Sequence, residues 1–161
     1  MAVERVPTES MWGVLDKAMM SIDANRTRGR GNIAEQVSRV IGVRLSFLAL
    51  RVLDTLTDCP MRITELGTQL GAGFPTITRL IQDMERKGLV TRQADASDGR
   101  AALISLSQKG ILAEQASRQV RIASLKEALH DWPGDDVQLL APLLQRLTAA
   151  LTRARHDIKQ S

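Results

Sequence analysis

One side of a predicted helix between residues 75 and 86 carries side chains that can hydrogen-bond to nucleic-acid bases. A guanidinium group can form paired hydrogen bonds with guanine, and a side-chain amide can do so with adenine. Hydroxyl groups and free backbone N–H groups at a helix start are suited to phosphates. We therefore predict a base-reading surface centred on Arg79, and the alternative is a solvated polar face. The residues assigned to it are Pro75, Thr76, Thr78, Arg79, Gln82 and Arg86.

A helix-turn-helix unit is predicted to position this surface. Residues 63–70 have the apolar spacing of a short helix, and Gly71-Ala72-Gly73 is typical of a tight turn. Pro75 then begins the second helix, where its missing N–H costs nothing, and Gly88 is suited to ending it. The buried side of this second helix is predicted to consist of Ile77, Leu80, Ile81 and Met84.

A β-hairpin is predicted directly after the helix-turn-helix. Strands at residues 89–94 and 101–106 flank a turn at residues 95–100 that is rich in Asp, Ser and Gly. Such a hairpin forms a wing, and an arginine at its tip gains from the negative potential of a DNA minor groove. A salt bridge from Asp95 or Asp98 would orient Arg100, although Arg100 would alternatively only stabilise the turn. The predicted contact residues of the wing are Arg92, Ser97, Asp98 and Arg100.

The flanking segments are predicted to be helical. A helix over residues 9–24 is followed by a loop at 25–32, whose arginines indicate a solvated connector or, alternatively, a phosphate contact. Residues 33–56 indicate one bent helix or two short ones. Ser107 is predicted to cap a helix over 108–129, and a last helix follows Trp132-Pro133. The fold class is therefore mainly α with a small β-hairpin.

The apolar stripes of the first and last helices predict a homodimer. These helices flank a compact winged helix, so a two-fold partner would bury them, although packing within one subunit is the alternative. The predicted division is residues 1–56 for dimerisation, 57–110 for DNA binding and 111–161 for dimerisation again.

Composition excludes several function classes. The chain has 161 residues, a net charge of +4, one cysteine and two histidines. The histidines lie far from any candidate nucleophile and from Cys59, so we predict no enzyme, no metal site and no cofactor. Cys59 is expected to be unreactive, and a redox sensor is the alternative. Because the chain lacks a membrane-length apolar run and a signal-peptide pattern, we expect a cytoplasmic protein.

The combined motifs resemble those of the MarR family, and more closely its SlyA-like branch. The resemblance covers residues 45–112, and its motifs include Phe74-Pro75-Thr76-Ile77-Thr78-Arg79 and the wing segment Asp98-Gly99-Arg100-Ala101, which leads into Leu106-Ser107-Gln108-Lys109-Gly110. It implies a winged-helix dimer that binds pseudo-palindromic double-stranded operators, with DNA contacts from Arg79 and Arg100. Position 74, a phenylalanine here, is often polar in other branches, and Gly99 stands where the wing often has another arginine.

These observations together predict a sequence-specific transcriptional regulator. The resemblance implies a repressor that a small aromatic acid releases from DNA. Arg44, Phe47 and Arg51 are expected to share one helical face that binds such an effector, although a solvated or intersubunit face is the alternative. The competing interpretation is a winged-helix module used only for protein–protein contact.

Overall fold

The computed structural model describes residues 8–95 and 98–158, without the side chains at positions 26–28, 30, 98–101 and 155–158. This part of the chain divides after Arg121 into two compact units. No helix within it is long and apolar enough to cross a membrane. In chain order, the elements are α1 (Glu9–Ile41), α2 (Phe47–Thr55), β1 (Met61–Arg62), α3 (Ile63–Leu70), α4 (Phe74–Arg86), β2 (Val90–Asp95), β3 (Asp98–Leu106), α5 (Gln108–Ala128) and α6 (Gly134–Ile158).

Helix α1 is continuous, so the loop predicted at residues 25–32 was wrong. The helix passes through Gly29 and Gly31 and ends only before Gly42, which adopts a left-handed conformation with φ +67°. A glycine inside a helix costs only about 1 kcal/mol relative to alanine. Helix formation is cooperative, so the residues on both sides can carry the helix across two such positions.

Helix α2 is separate from α1. The backbone N–H of Ala49 donates to the Ser46 hydroxyl oxygen at 3.1 Å, which caps the start of α2. Arg44 therefore lies in the connection between the helices, whereas Phe47 and Arg51 lie on α2. The expectation that all three residues share one helical face was wrong, because Gly42 ends the first helix before Arg44.

The first unit is built around one aliphatic core. Apolar side chains from α1 to α4 meet those of the sheet and of the first turns of α5 there. The sheet has three antiparallel strands in the order β1-β3-β2, so the predicted hairpin is present with an additional edge strand. The fully buried side chains include Val37, Val52, Leu53, Leu66, Ile77, Ile81, Met84, Leu89 and Ile104. The predicted fold class, mainly α with a winged helix-turn-helix, is confirmed.

Two predicted boundaries around the last helices are confirmed. The Ser107 hydroxyl oxygen accepts a hydrogen bond from the Gly110 N–H at 3.0 Å and so caps α5. Residues 129–133 separate α5 from α6, as expected from Trp132-Pro133. Helix α6 belongs to the second unit and contains Pro142.

Candidate nucleic-acid interface

The sequence of α4 determines which of its sides faces outward. Gly73 has an extended backbone at the N-cap position, and Pro75 lies in the first turn, where its missing N–H leaves no helical bond unmade. The side chains of Ile77, Ile81 and Met84 are fully buried, and Leu80 is half-buried, which confirms the predicted apolar side. Burial of this side leaves the opposite, polar side of the helix accessible.

The accessible side of α4 carries five of the six predicted residues. Arg79 and Gln82 form no hydrogen bond or ion pair with any residue in the described part of the chain, so their donors remain available. The Arg86 guanidinium instead pairs with Asp83 at 3.1 Å. The exposed predicted residues are Pro75, Thr76, Arg79, Gln82 and Arg86.

Thr78 differs from the expectation. The residue is half-buried, and its hydroxyl oxygen is enclosed without a hydrogen-bond partner within the described residues. An enclosed hydroxyl is not presented to a phosphate. Thr78 therefore flanks the polar side through its backbone position and not through an outward hydroxyl group.

The hairpin is joined to α4 through an ion pair. The Arg92 Nε on β2 donates to the Glu85 carboxylate on α4 at 2.9 Å. The Arg92 side chain is 34% exposed and the Glu85 side chain 40%. The guanidinium of Arg92 thus lies beside α4, where its charge is balanced by Glu85 and the pair links the hairpin to the helix.

Only part of the wing tip can be described. The backbones of Asp98 and Arg100 begin strand β3, so these residues follow the tip directly. Their side chains, and the whole of Ser97, lie outside the described features.

The end of β2 next to the wing tip is held by an ion pair that the sequence did not predict. Asp95 is 8% exposed, and its Oδ2 accepts hydrogen bonds from Nε of Arg62, at 2.8 Å, and from Nη2 of the same guanidinium. The predicted salt bridge from Asp95 or Asp98 to Arg100 involves side chains outside the described features, while Asp95 is paired with Arg62. The two residues are 33 positions apart, and only the pairing of β1 with β3 brings the beginning of α3 to the wing.

Loss of the Asp95 carboxylate is expected to destabilise the chain. Asp95→Asn should lower the free energy of unfolding by about 1.5 kcal/mol, because hydrogen bonds between charged groups are lost at a nearly buried site. Urea unfolding would measure this, with Asp58→Asn as a control that makes the same charge change at an exposed turn. A double-mutant cycle with Arg62→Gln should give a coupling of at least about 0.5 kcal/mol. Additive effects would contradict the pairing.

The predicted effector residues are only partly brought together. An open cavity of about 800 Å³ lies between the last turns of α1 and the connection to α2, and Arg44 and Phe47 line it together with Ser38 and Arg39. Arg51 does not line this cavity. Its Nη1 donates to the Leu70 carbonyl oxygen at 3.2 Å, which ties α2 to the end of α3.

Comparisons with known proteins agree with this geometry. The MarR family model matches residues 44–102. The chain is 32% identical over 107 residues to an uncharacterized HTH-type transcriptional regulator, YxaD, of Bacillus subtilis, covering 66% of this chain and 73% of the relative. It is 32% identical over 108 residues to the organic hydroperoxide resistance transcriptional regulator of the same species, covering 65% and 69%.

A solved structure shows the same fold. The MarR family protein from Bacillus stearothermophilus superposes with a TM-score of 0.74 at 23% identity, covering 91% of this chain and 99% of that one. Members of this family are regulators of transcription and not enzymes. The matched segment spans α2, the helix-turn-helix and most of the hairpin. This chain therefore belongs to the MarR family of DNA-binding transcriptional regulators.

Proposed function

We propose that two copies of the chain form a repressor that binds a pseudo-palindromic operator and leaves it when a small aromatic acid binds. In a two-fold dimer, the two α4 helices would lie about 34 Å apart and enter successive major grooves. Pro75, Thr76, Arg79, Gln82 and Arg86 would face the DNA, with Arg92 and Arg100 beside the neighbouring minor groove. The chain would belong to the SlyA-like branch of the family, which the motif Gly71-x-x-x-Pro75-Thr76 supports. It would act in the cytoplasm, where its DNA partner lies.

The observation that carries the dimer is the apolar surface left on α1 and α6. Five exposed apolar side chains on α1 recur at helical spacing along one side, and five on α6 do the same. Monomers rarely leave this much apolar surface in contact with water, so a second copy is the simplest cover. These aligned residues are Met11, Trp12, Leu15, Met19 and Ile22 on α1, and Leu139, Leu143, Leu144, Leu147 and Leu151 on α6, while Val14, Met20 and Val40 of α1 are exposed outside this alignment.

The proposed division of roles differs from the division into compact units. Residues 1–56 and 111–161 would dimerise, and 57–110 would bind DNA. The compact units divide after Arg121, since Ala34 and Val37 of α1 pack into the same core as the helix-turn-helix. The end of α1 thus connects the dimerising surface directly to the DNA-reading unit.

A charge placed on the apolar side of α6 should dissociate the dimer. Leu147→Glu is expected to shift the chain to the monomer in analytical ultracentrifugation and to abolish tight operator binding, because a carboxylate would be buried between the copies. Gln145→Glu makes the same charge change on the polar side of α6 and should leave the dimer intact. A wild-type chain that sediments as a monomer, or a Leu147→Glu chain that stays dimeric, would contradict the proposed interface.

The cavity beside Arg44 is the proposed effector site. An exposed guanidinium and an adjacent phenyl ring are suited to a carboxylate joined to an aromatic ring. We leave Arg51 out of the proposed ligand set because it does not line the cavity. The Lys87 Nζ donates to the Arg44 carbonyl oxygen at 2.9 Å. The segment between α1 and α2, which lines the cavity, is therefore hydrogen-bonded to the residue that caps the end of α4. A ligand there would shift α4, and such coupling is typically about 1–3 kcal/mol.

Titration of a DNA complex tests the effector proposal. Benzoate and salicylate would be added to the wild-type chain on a selected duplex, with benzamide as the uncharged control. The acids should lower DNA affinity, whereas Arg44→Ala should bind DNA normally and respond less. If neither acid changes the affinity, the effector proposal fails, while the assignment to DNA binding is unaffected.

A further inference from the structure

Phe74 is an exposed aromatic residue at the start of the DNA-reading helix. It is the first residue of α4, and its side chain is 58% exposed. Within the described part of residues 41–110, it is the only large apolar side chain that is exposed to this extent. The other exposed large apolar side chains of the described residues lie on α1, α5 and α6 or in the segment between α5 and α6, and most of those on α1 and all of those on α6 belong to the surface proposed for dimerisation. Phe74 is thus exposed on the winged-helix unit itself and not on the helices proposed to dimerise.

The surroundings of Phe74 keep its ring accessible. The ring borders the groove between α3 and α4, together with Ile63 and Ile77, but the turn before it contributes almost no side-chain cover. A Cβ atom added at Gly71 would meet nothing within 4 Å, and one added at Gly73 would meet only the Pro75 ring, at 4.0 Å. The turn is thus open on the side from which a large partner would approach.

The position of Phe74 on α4 places it beside the base-reading side. Phe74, Thr78 and Gln82 are spaced four residues apart and form one row along the helix. The first residues of a recognition helix are those that approach base edges in the major groove. The apolar feature that DNA presents in that groove is the 5-methyl group of thymine, and phenylalanine is among the side chains that contact it.

We propose that Phe74 is a specificity-determining residue that contacts a thymine methyl group in each half-site. The inference rests on the proposed placement of α4 in the major groove. Arg79 and Gln82 would read hydrogen-bonding edges, whereas Phe74 would select for thymine by apolar contact. The row from Phe74 to Gln82 then combines two kinds of recognition on one helix.

Methyl deletion in the DNA tests this contact directly. Duplexes would be selected from a random library with the wild-type chain, and each thymine would then be replaced by deoxyuridine, which lacks only the methyl group. Fluorescence anisotropy would measure the affinity of the wild type, Phe74→Ala and Phe74→Leu. At one thymine per half-site, deoxyuridine should weaken wild-type binding about fourfold, the value for burying one methyl-sized group.

The variants make the result specific to residue 74. Phe74→Ala should be insensitive to deoxyuridine at that thymine, while Phe74→Leu should keep part of the sensitivity. Deoxyuridine at every other thymine should affect all three proteins equally. Because Phe74 is exposed, melting temperatures should be unchanged, which circular dichroism would check.

Two failures are distinguishable. In the first, the wild type selects a sequence, but deoxyuridine lowers the DNA affinity of the wild type and of Phe74→Ala by the same factor at every thymine. The proposed contact then does not exist, although α4 still reads DNA. If the wild type selects no sequence at all, the proposed placement of α4 fails, and this inference fails with it.

Discussion

Arg79→Ala is expected to weaken binding to a selected operator about a hundredfold, because each bidentate base contact contributes about 1–3 kcal/mol and a dimer uses the residue twice. The side chain is exposed on α4 and makes no hydrogen bond or ion pair among the described residues, so its removal should leave thermal stability unchanged. Fluorescence anisotropy on the selected duplex would measure the affinity, and calorimetry would check the fold.

Two further variants separate base reading from simple charge. Arg79→Lys keeps the positive charge but loses the planar fork, so it should retain binding to random DNA and lose discrimination for the selected sequence. Arg118→Ala removes the same charge from an exposed position on α5 and should have little effect. If Arg79→Lys bound the operator as well as the wild type, a bidentate base contact by Arg79 would be refuted.

Gly110→Ala is expected to destabilise the chain more than any surface substitution. A Cβ atom at position 110 would lie 2.0 Å from the Leu89 carbonyl oxygen and 3.0 Å from its carbonyl carbon. That oxygen also accepts the Ser107 N–H at 3.1 Å, while the Ser107 hydroxyl donates to the Gly88 carbonyl oxygen. The backbone before β2 is therefore held between the end of α4 and the start of α5, and it cannot move away without breaking these bonds.

We expect Gly110→Ala to lower the free energy of unfolding by about 3 kcal/mol, the upper range for overpacking, and the melting temperature by about 10 °C. Gly31→Ala is the matched control. A Cβ atom there meets nothing within 4 Å inside helix α1, so this change should raise stability by up to about 1 kcal/mol. Urea unfolding and calorimetry would measure both variants. Equal melting temperatures for Gly110→Ala and the wild type would show that the backbone at Leu89 yields easily.

The elements around the site could be predicted because their signals are local. The spacing of Ile77, Ile81 and Met84 indicated the buried side of α4, and Gly88, with φ +71°, ends the turn that follows it. The exposed positions of Arg79 and Gln82 follow from the same periodicity. The loop predicted at residues 25–32 was wrong because two glycines are a local signal for a break, whereas the cooperativity of a 33-residue helix carries α1 through them.

By its own spacing of apolar, glycine and proline residues, the chain specifies the order of its helices, the hairpin and the outward side of α4, because each depends on residues within a few positions of one another. Tertiary structure alone decided that β1 joins the hairpin, that Arg62 pairs with Asp95, that Arg92 pairs with Glu85, and that Leu89 closes over Gly110. These contacts connect different elements, and the periodicity of the sequence does not predict which residues pair. Packing of the shared core brings the elements together and thereby selects the pairs.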